Sequence, residues 1–176
     1  MRWPAFFILA YVILALQLGL ASFISWHGAQ PNLILIAAVF IAMNAPRDSG
    51  LLGCFLLGFC QDLTSIGPLG LHAFTLGLIG LGMMSVQQVI YREHPLTHVA
   101  MTLAAGLIGL VVLTIWARLY PWLHGARHDG QGQSILIGLL GVVYTAAVAP
   151  LVIHVLQRIK GLFGFRITRA NVMGRS

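Results

Sequence analysis

Asp62 is the only acid of this sequence that falls within an apolar run. It ends the stretch LLGCFLLGFCQD, beside Gln61, Thr64 and Ser65. An ionised carboxylate in hydrocarbon costs at least a few kcal/mol, so it must face the protein interior, find a partner, or reach the interface. Candidate partners are the hydroxyls of Thr64 and Ser65, the imidazole of His72, Arg118, and the backbone amides of the turn SIGPLG. Spacing alone does not choose among them. Asp62 has three functional readings: a proton relay, a ligand anchor, or a polar lock between helices. A relay needs a chain of titratable groups across the membrane, and the inner half of the spans offers none besides the scattered His72 and His154. The expected role is therefore a lock between helices or a cap on the following turn. That turn holds Gly67, Pro68 and Gly70, with Pro fixing φ and each Gly permitting φ above zero, so it is expected to reverse the chain tightly.

The remaining chemistry-bearing residues do not assemble into a site. His94 and His98 are four apart, as are His124 and His128, and that spacing puts two imidazoles on one helical face. Two ligands do not make a metal site. Pro95 disfavours helix at His94, and Gly125 with the GQGQ stretch disfavours it near His128, so these histidines are expected in solvated loops and no metal is expected. Cys54 and Cys60 lie six positions apart in one apolar run, about 120° and roughly 9 Å apart on a helix, too far for a disulfide. They read as small packing residues. No nucleophile elbow, phosphate-cradling loop or paired carboxylates appear, since Asp48, Glu93 and Asp129 fall in separate loops. The sequence points away from an enzyme and away from a bound cofactor.

What must position Asp62 follows from composition. Of 176 residues, 59% are apolar and 8% charged, so ten Lys/Arg and four Asp/Glu cannot clothe a soluble surface. The basic residues sit between apolar runs rather than on one water-facing patch, which excludes a nucleic-acid reader despite the net charge of +6. Apolar runs near residues 5–25, 31–45, 49–66, 69–89, 97–119 and 135–156 predict an all-α integral membrane protein with a bundle of six transmembrane helices. The first run is too long for a secretory signal core and ends near Trp26, an interface residue, so it reads as a permanent span. The second and third runs fall short of about 20 residues, so they are expected to be tilted, kinked or shielded by neighbours.

With the N-terminus inside, Arg2, Arg47, Arg92, Arg158, Lys160, Arg166, Arg169 and Arg175 are cytoplasmic, and only Arg118 and Arg127 lie at or beyond the outer surface. The chain thus divides into a six-span domain over residues 1–156 and a basic cytoplasmic tail over 157–176. In the tail, Arg158, Lys160, Arg166 and Arg169 alternate with apolar residues, a pattern suited to the anionic inner leaflet or to a partner. Small residues recur at helical spacing in Ala73 and Gly77, Gly77 and Gly80, Ala105 and Gly109, and Gly138 and Gly141, which favours a compact bundle.

The segment QDLTSIGPLGLHA, followed by a span and then YREHPLTH, resembles the rod-shape-determining protein MreD family of bacteria. The resemblance takes in PNLILIAAVFIA opening the second span at Pro31, the loop with Arg47, and Pro150 late in the last span before a basic tail. Pro31 and Pro150 read as helix-shaping positions, and Asn32 stands where many relatives have Asp after the proline. The family motif falls on Asp62, Ser65, Gly67, Pro68, Gly70 and His72, as a turn for helix packing or partner docking. The resemblance implies a non-enzymatic inner-membrane component of the cell-elongation complex, scaffolding lateral-wall peptidoglycan synthesis. Its implied partners are an MreC-like protein and, through the complex, MreB, the RodA glycosyltransferase and a penicillin-binding transpeptidase. The family is also similar in fold to the S components of energy-coupling-factor transporters, which leaves a small-molecule-binding transporter subunit as the alternative.

Overall fold

The computed structural model describes residues 3–20, 29–65, 68–86, 95–124 and 135–159. Six α-helices run through them: α1 (Trp3–Leu20), α2 (Leu33–Asn44), α3 (Arg47–Thr64), α4 (Leu71–Val86), α5 (Pro95–His124) and α6 (Ile135–Ile159). Two of them, over Thr97–Leu119 and Ile135–Arg158, are by themselves long and apolar enough to cross a membrane.

The short second run owes its stability to shielding. At 12 residues α2 is about 18 Å long, well under the hydrocarbon thickness of a bilayer. It is apolar on every side, and a helix of that kind must be enclosed. Every residue from Ile34 to Met43 is buried, and α2 touches all five other helices. The bundle is wrapped around it.

Around α2 the chain forms two antiparallel pairs, α3 with α4 and α5 with α6. On α3, every fourth residue from Gly50 through Cys54 and Gly58 to Asp62 is buried, which forms one straight ridge. The ridge meets α4 in reverse order. A side chain at Gly50 would strike Met84, Cys54 packs on Gly80, and a Cβ at Gly58 would stand 2.7 Å from the backbone nitrogen of Ala73. Backbones approach this closely only where both sides are small. The bulky residues of α3, Leu52, Phe55, Phe59 and Leu63, turn outward, as do the aliphatic residues on the outer faces of α5 and α6. Cys54 packs as a small buried residue, its thiol donating to the Ala38 carbonyl at 3.4 Å, and both cysteines are free.

Three expectations need correction. Helix α3 starts at Arg47, so Asp48 sits in its first turn near the positive end of the helix dipole rather than in a loop. Helix α5 is longer than the run 97–119, because Pro95, rather than marking a loop, occupies the first helical position, where a missing N–H costs nothing. In consequence His98 is no solvated loop residue. It is buried on α5, and its Nε2 lies 3.2 Å from Nε2 of Gln157 on α6. His94 and His128 lie outside the described residues.

Candidate functional site

Helix α4 begins without a cap of its own. Gly70, at φ 98°, stands where a Ser, Thr or Asp side chain would ordinarily accept the first free amides. The carboxylate of Asp62 supplies that cap from the neighbouring helix. Its Oδ2 accepts the amides of Gly70 at 3.0 Å and Ala73 at 3.0 Å, and its Oδ1 accepts the amide of His72 at 2.9 Å. Oδ1 also lies 2.9 Å from Nδ1 of the His72 ring. Asp62 is 3% exposed, and four donors converge on it. The N-terminal end of α4 is electropositive, so charge, dipole and hydrogen bonds agree in placing an anion there.

Gly58 makes this reach possible. It lies one helical turn before Asp62 and faces the backbone of His72 and Ala73, so any side chain there would push the start of α4 away from the carboxylate. Among the partners open to Asp62 from spacing, the structure selects His72 and the turn amides. The hydroxyls of Thr64 and Ser65 instead donate to the Gln61 carbonyl, at 2.9 Å each, and close the end of α3. Arg118 lies exposed on α5, and the side chain that Asp62 meets among the described residues is His72. Pro68 accepts the Leu71 amide at 3.5 Å within the turn, while Gly67 lies outside the described residues.

A second cap lies at the same end of the bundle. Asn32 accepts the Leu35 amide with its own Oδ1 at 2.9 Å, as an N-cap does. Gln17 of α1 accepts the Leu33 amide at 2.7 Å and donates to the Pro31 carbonyl at 3.1 Å, and Thr145 of α6 accepts the Asn32 amide at 3.0 Å. Thus Pro31 shapes the entry to α2 through its carbonyl. Pro150 sits inside α6, which continues unbroken to Ile159. Sequence reasoning overlooked Gln17, Thr145 and Gly58. A lone Gln in an apolar helix was the available signal for the first, whereas nothing set Gly58 apart from its fellow glycines.

Between the two caps lies a cavity of about 320 Å³, partly open at this end of the bundle. Gln30, Asn32, Gln61, His72, Thr75 and Thr145 give it polar walls, and Leu110, Leu113, Ile137 and Val142 form the facing wall with Gly106, Gly109, Gly138 and Gly141 of α5 and α6. Of the small pairs read from sequence, Gly109 and Gly141 therefore border the cavity, with ordinary contacts to Ile79 and the Gln30 carbonyl, while Gly80 packs tightly on Cys54. At the opposite end, Arg158 is exposed in the last turn of α6; Lys160, Arg166 and Arg169 lie outside the described residues. Among the described residues no three His, Cys, Asp or Glu side chains group as metal ligands.

An all-helical membrane protein is the class that this fold and site define, with its polar side chains engaged in joining helices. Within that class the chain belongs to the rod shape-determining protein MreD family, whose pattern matches residues 1–159. It is thus a rod-shape-determining membrane protein, of a family of shape-determining proteins rather than enzymes. The chain is also 29% identical over 106 residues to solute carrier family 52, riboflavin transporter, member 2 of Papio hamadryas, a stretch covering 52% of this chain and 22% of the relative. The chain therefore spans only a fraction of that transporter's length. No solved structure matches it.

Proposed function

We propose that this chain is a non-enzymatic, multi-pass scaffold of the bacterial elongation complex in the inner membrane, with both termini cytoplasmic, and that partners dock on it at two ends. The distribution of Lys and Arg supports the orientation: Arg47 and Arg158 stand exposed at the end of the bundle away from the turn. In that orientation Asp62, His72 and the cavity face outward. An MreC-like partner docks there, on the turn and into the cavity beside it. Through that partner the chain connects to the RodA glycosyltransferase, the penicillin-binding transpeptidase and MreB. Arg158, Lys160, Arg166 and Arg169 bind the anionic inner leaflet or a partner at the other end.

The observation that carries the reading is the family match along residues 1–159, combined with a site whose acid is fully engaged in hydrogen bonds. A carboxylate held by four donors has no capacity left to act as a base. Depletion in a rod-shaped host tests it: cells are expected to round up, and the chain to co-purify with the MreC-like protein. Cells that stay rod-shaped, with no such protein retained, would overturn the proposal.

The second reading is the small-molecule-binding subunit with an S-component-like architecture, and the cavity is what favours it. It predicts a bound metabolite and an associated ATPase module, so mass spectrometry of gently purified protein showing neither would remove it.

A further inference from the structure

We propose that Arg118 and the face of α5 beside it form a binding site for an anionic phospholipid, with the phosphate on the guanidinium and an acyl chain along the helix. Arg118 is a cation that the bundle leaves without a use. Of the arginines among the described residues, Arg47 and Arg158 stand at the end of the bundle away from the turn, and Arg118 stands toward the turn. The described acids give it no counter-ion. Asp48 lies in the first turn of α3 at the far end, and the carboxylate of Asp62 is taken up by the start of α4. Among the described residues no ion pair reaches Arg118.

Its depth and surroundings say what covers it. At 1.5 Å per residue Arg118 lies about 32 Å along the axis from Thr97, where the apolar span of α5 begins, which matches the hydrocarbon thickness of a bilayer. A long side chain at that level keeps its stem on apolar surface and carries its charge to the lipid phosphates. Arg118 borders a shallow groove of about 440 Å³, lined also by Thr114, Ile115 and Leu119. Val111, Ile115 and Leu119 are exposed and four residues apart, so they form one row running from beside the guanidinium toward the middle of the membrane. The Thr114 hydroxyl donates to the Leu110 carbonyl at 2.7 Å, which leaves Arg118 as the donor in the groove. The surface is thus cationic at one point and apolar elsewhere. A free phosphate would leave the apolar row uncovered, and a peptide laid along it would have backbone groups without partners. A phospholipid matches both parts, its phosphate accepting the guanidinium fork and its chain lying on the row. A net-negative head group is favoured over a zwitterionic one, whose own cation competes for the phosphate.

The full-length chain in neutral detergent is titrated with phosphatidylglycerol carrying a photoreactive group in one acyl chain, and crosslinks to residues 111–119 are read by mass spectrometry. Saturable labelling of that segment is expected. Arg118→Gln should need about fivefold more lipid for half-saturation, as for losing one basic residue at the membrane surface, and Arg118→Lys, which keeps the charge but not the fork, should fall between. A diacylglycerol with the same labelled chain should label the segment weakly and without saturation, and excess inorganic phosphate should not displace the phospholipid. Equal half-saturation for wild type and Arg118→Gln, or equal labelling by the diacylglycerol, would show that the head group makes no contact and overturn the proposal. Displacement by inorganic phosphate would reduce the site to an anion contact and overturn it as well. Arg118 is exposed, so Arg118→Gln is expected to unfold at the wild-type temperature; should it unfold sooner, the contrast between the two lipids on the wild-type chain decides. In living cells a photoreactive residue at position 115 should capture lipid, and capture of a protein there in its place would contradict the assignment.

Discussion

The N-termini of α2 and α4 open at the same end of the bundle and are closed by different chemistry. The first is sealed by neutral groups, Gln17 of α1, the N-cap Asn32 and Thr145 of α6, which accept the amides of Leu33, Leu35 and Asn32 with no net charge. The second is sealed by one carboxylate from α3, which gathers three amides and an imidazole. The difference matches what each helix does. Helix α2 is enclosed, and neutral amide and hydroxyl contacts are the cheaper way to satisfy backbone groups away from water. Helix α4 borders the cavity, and there a carboxylate caps the helix and holds a histidine ring in the cavity wall. One cap completes the core and the other also builds a surface.

The contrast is broken most severely by Asp62→Ala, which leaves three amides and the His72 N–H without their acceptor. A loss of about 3–5 kcal/mol in unfolding free energy is expected, as for breaking a buried pair. Thr145→Val, which removes one neutral acceptor at the partly open cavity, should cost about 1 kcal/mol. Thermal unfolding in detergent compares them, and equal losses would mean that the two caps are energetically alike. Gly58→Ala probes the approach rather than the cap. Its new Cβ would lie 2.7 Å from the Ala73 nitrogen, so a loss of about 1–3 kcal/mol is expected from forcing α4 away. A neutral result there would show that α4 can shift without losing Asp62. Asn32→Asp sharpens the comparison with the smallest change. The carboxylate can still accept the Leu35 amide and gains from the helix dipole, so stability should change by less than about 1 kcal/mol, upward. A large loss would show that the α2 terminus rejects charge.

Asp62 was legible in the sequence because an acid at the end of an apolar run has few places to go. Its partners were not, because the choice depends on how near α4 comes, and that distance is set by Gly58, which looks like any other glycine until the backbones are placed. Helix α2 was legible as too short, whereas enclosure, rather than tilt or kink, emerges only when five neighbours surround it. His98 was misplaced because Pro95 was taken to end regular structure, when at the first turn of α5 it begins it. The cavity left no trace at all. It is a space between one face of α5 and α6 and the polar groups of other helices, and a sequence lists residues rather than gaps.

The claim that the outward turn and cavity form a docking site is tested most directly by photo-crosslinking in living rod-shaped cells from position 69. Leu69 lies in the turn and is 72% exposed, so a photoreactive residue there leaves the Asp62 cap intact. The account predicts capture of the MreC-like partner through its segment outside the membrane, reduced when Asp62→Ala is introduced in the same chain. Capture of lipid alone, with the partner instead crosslinking only to the cytoplasmic tail, would contradict it.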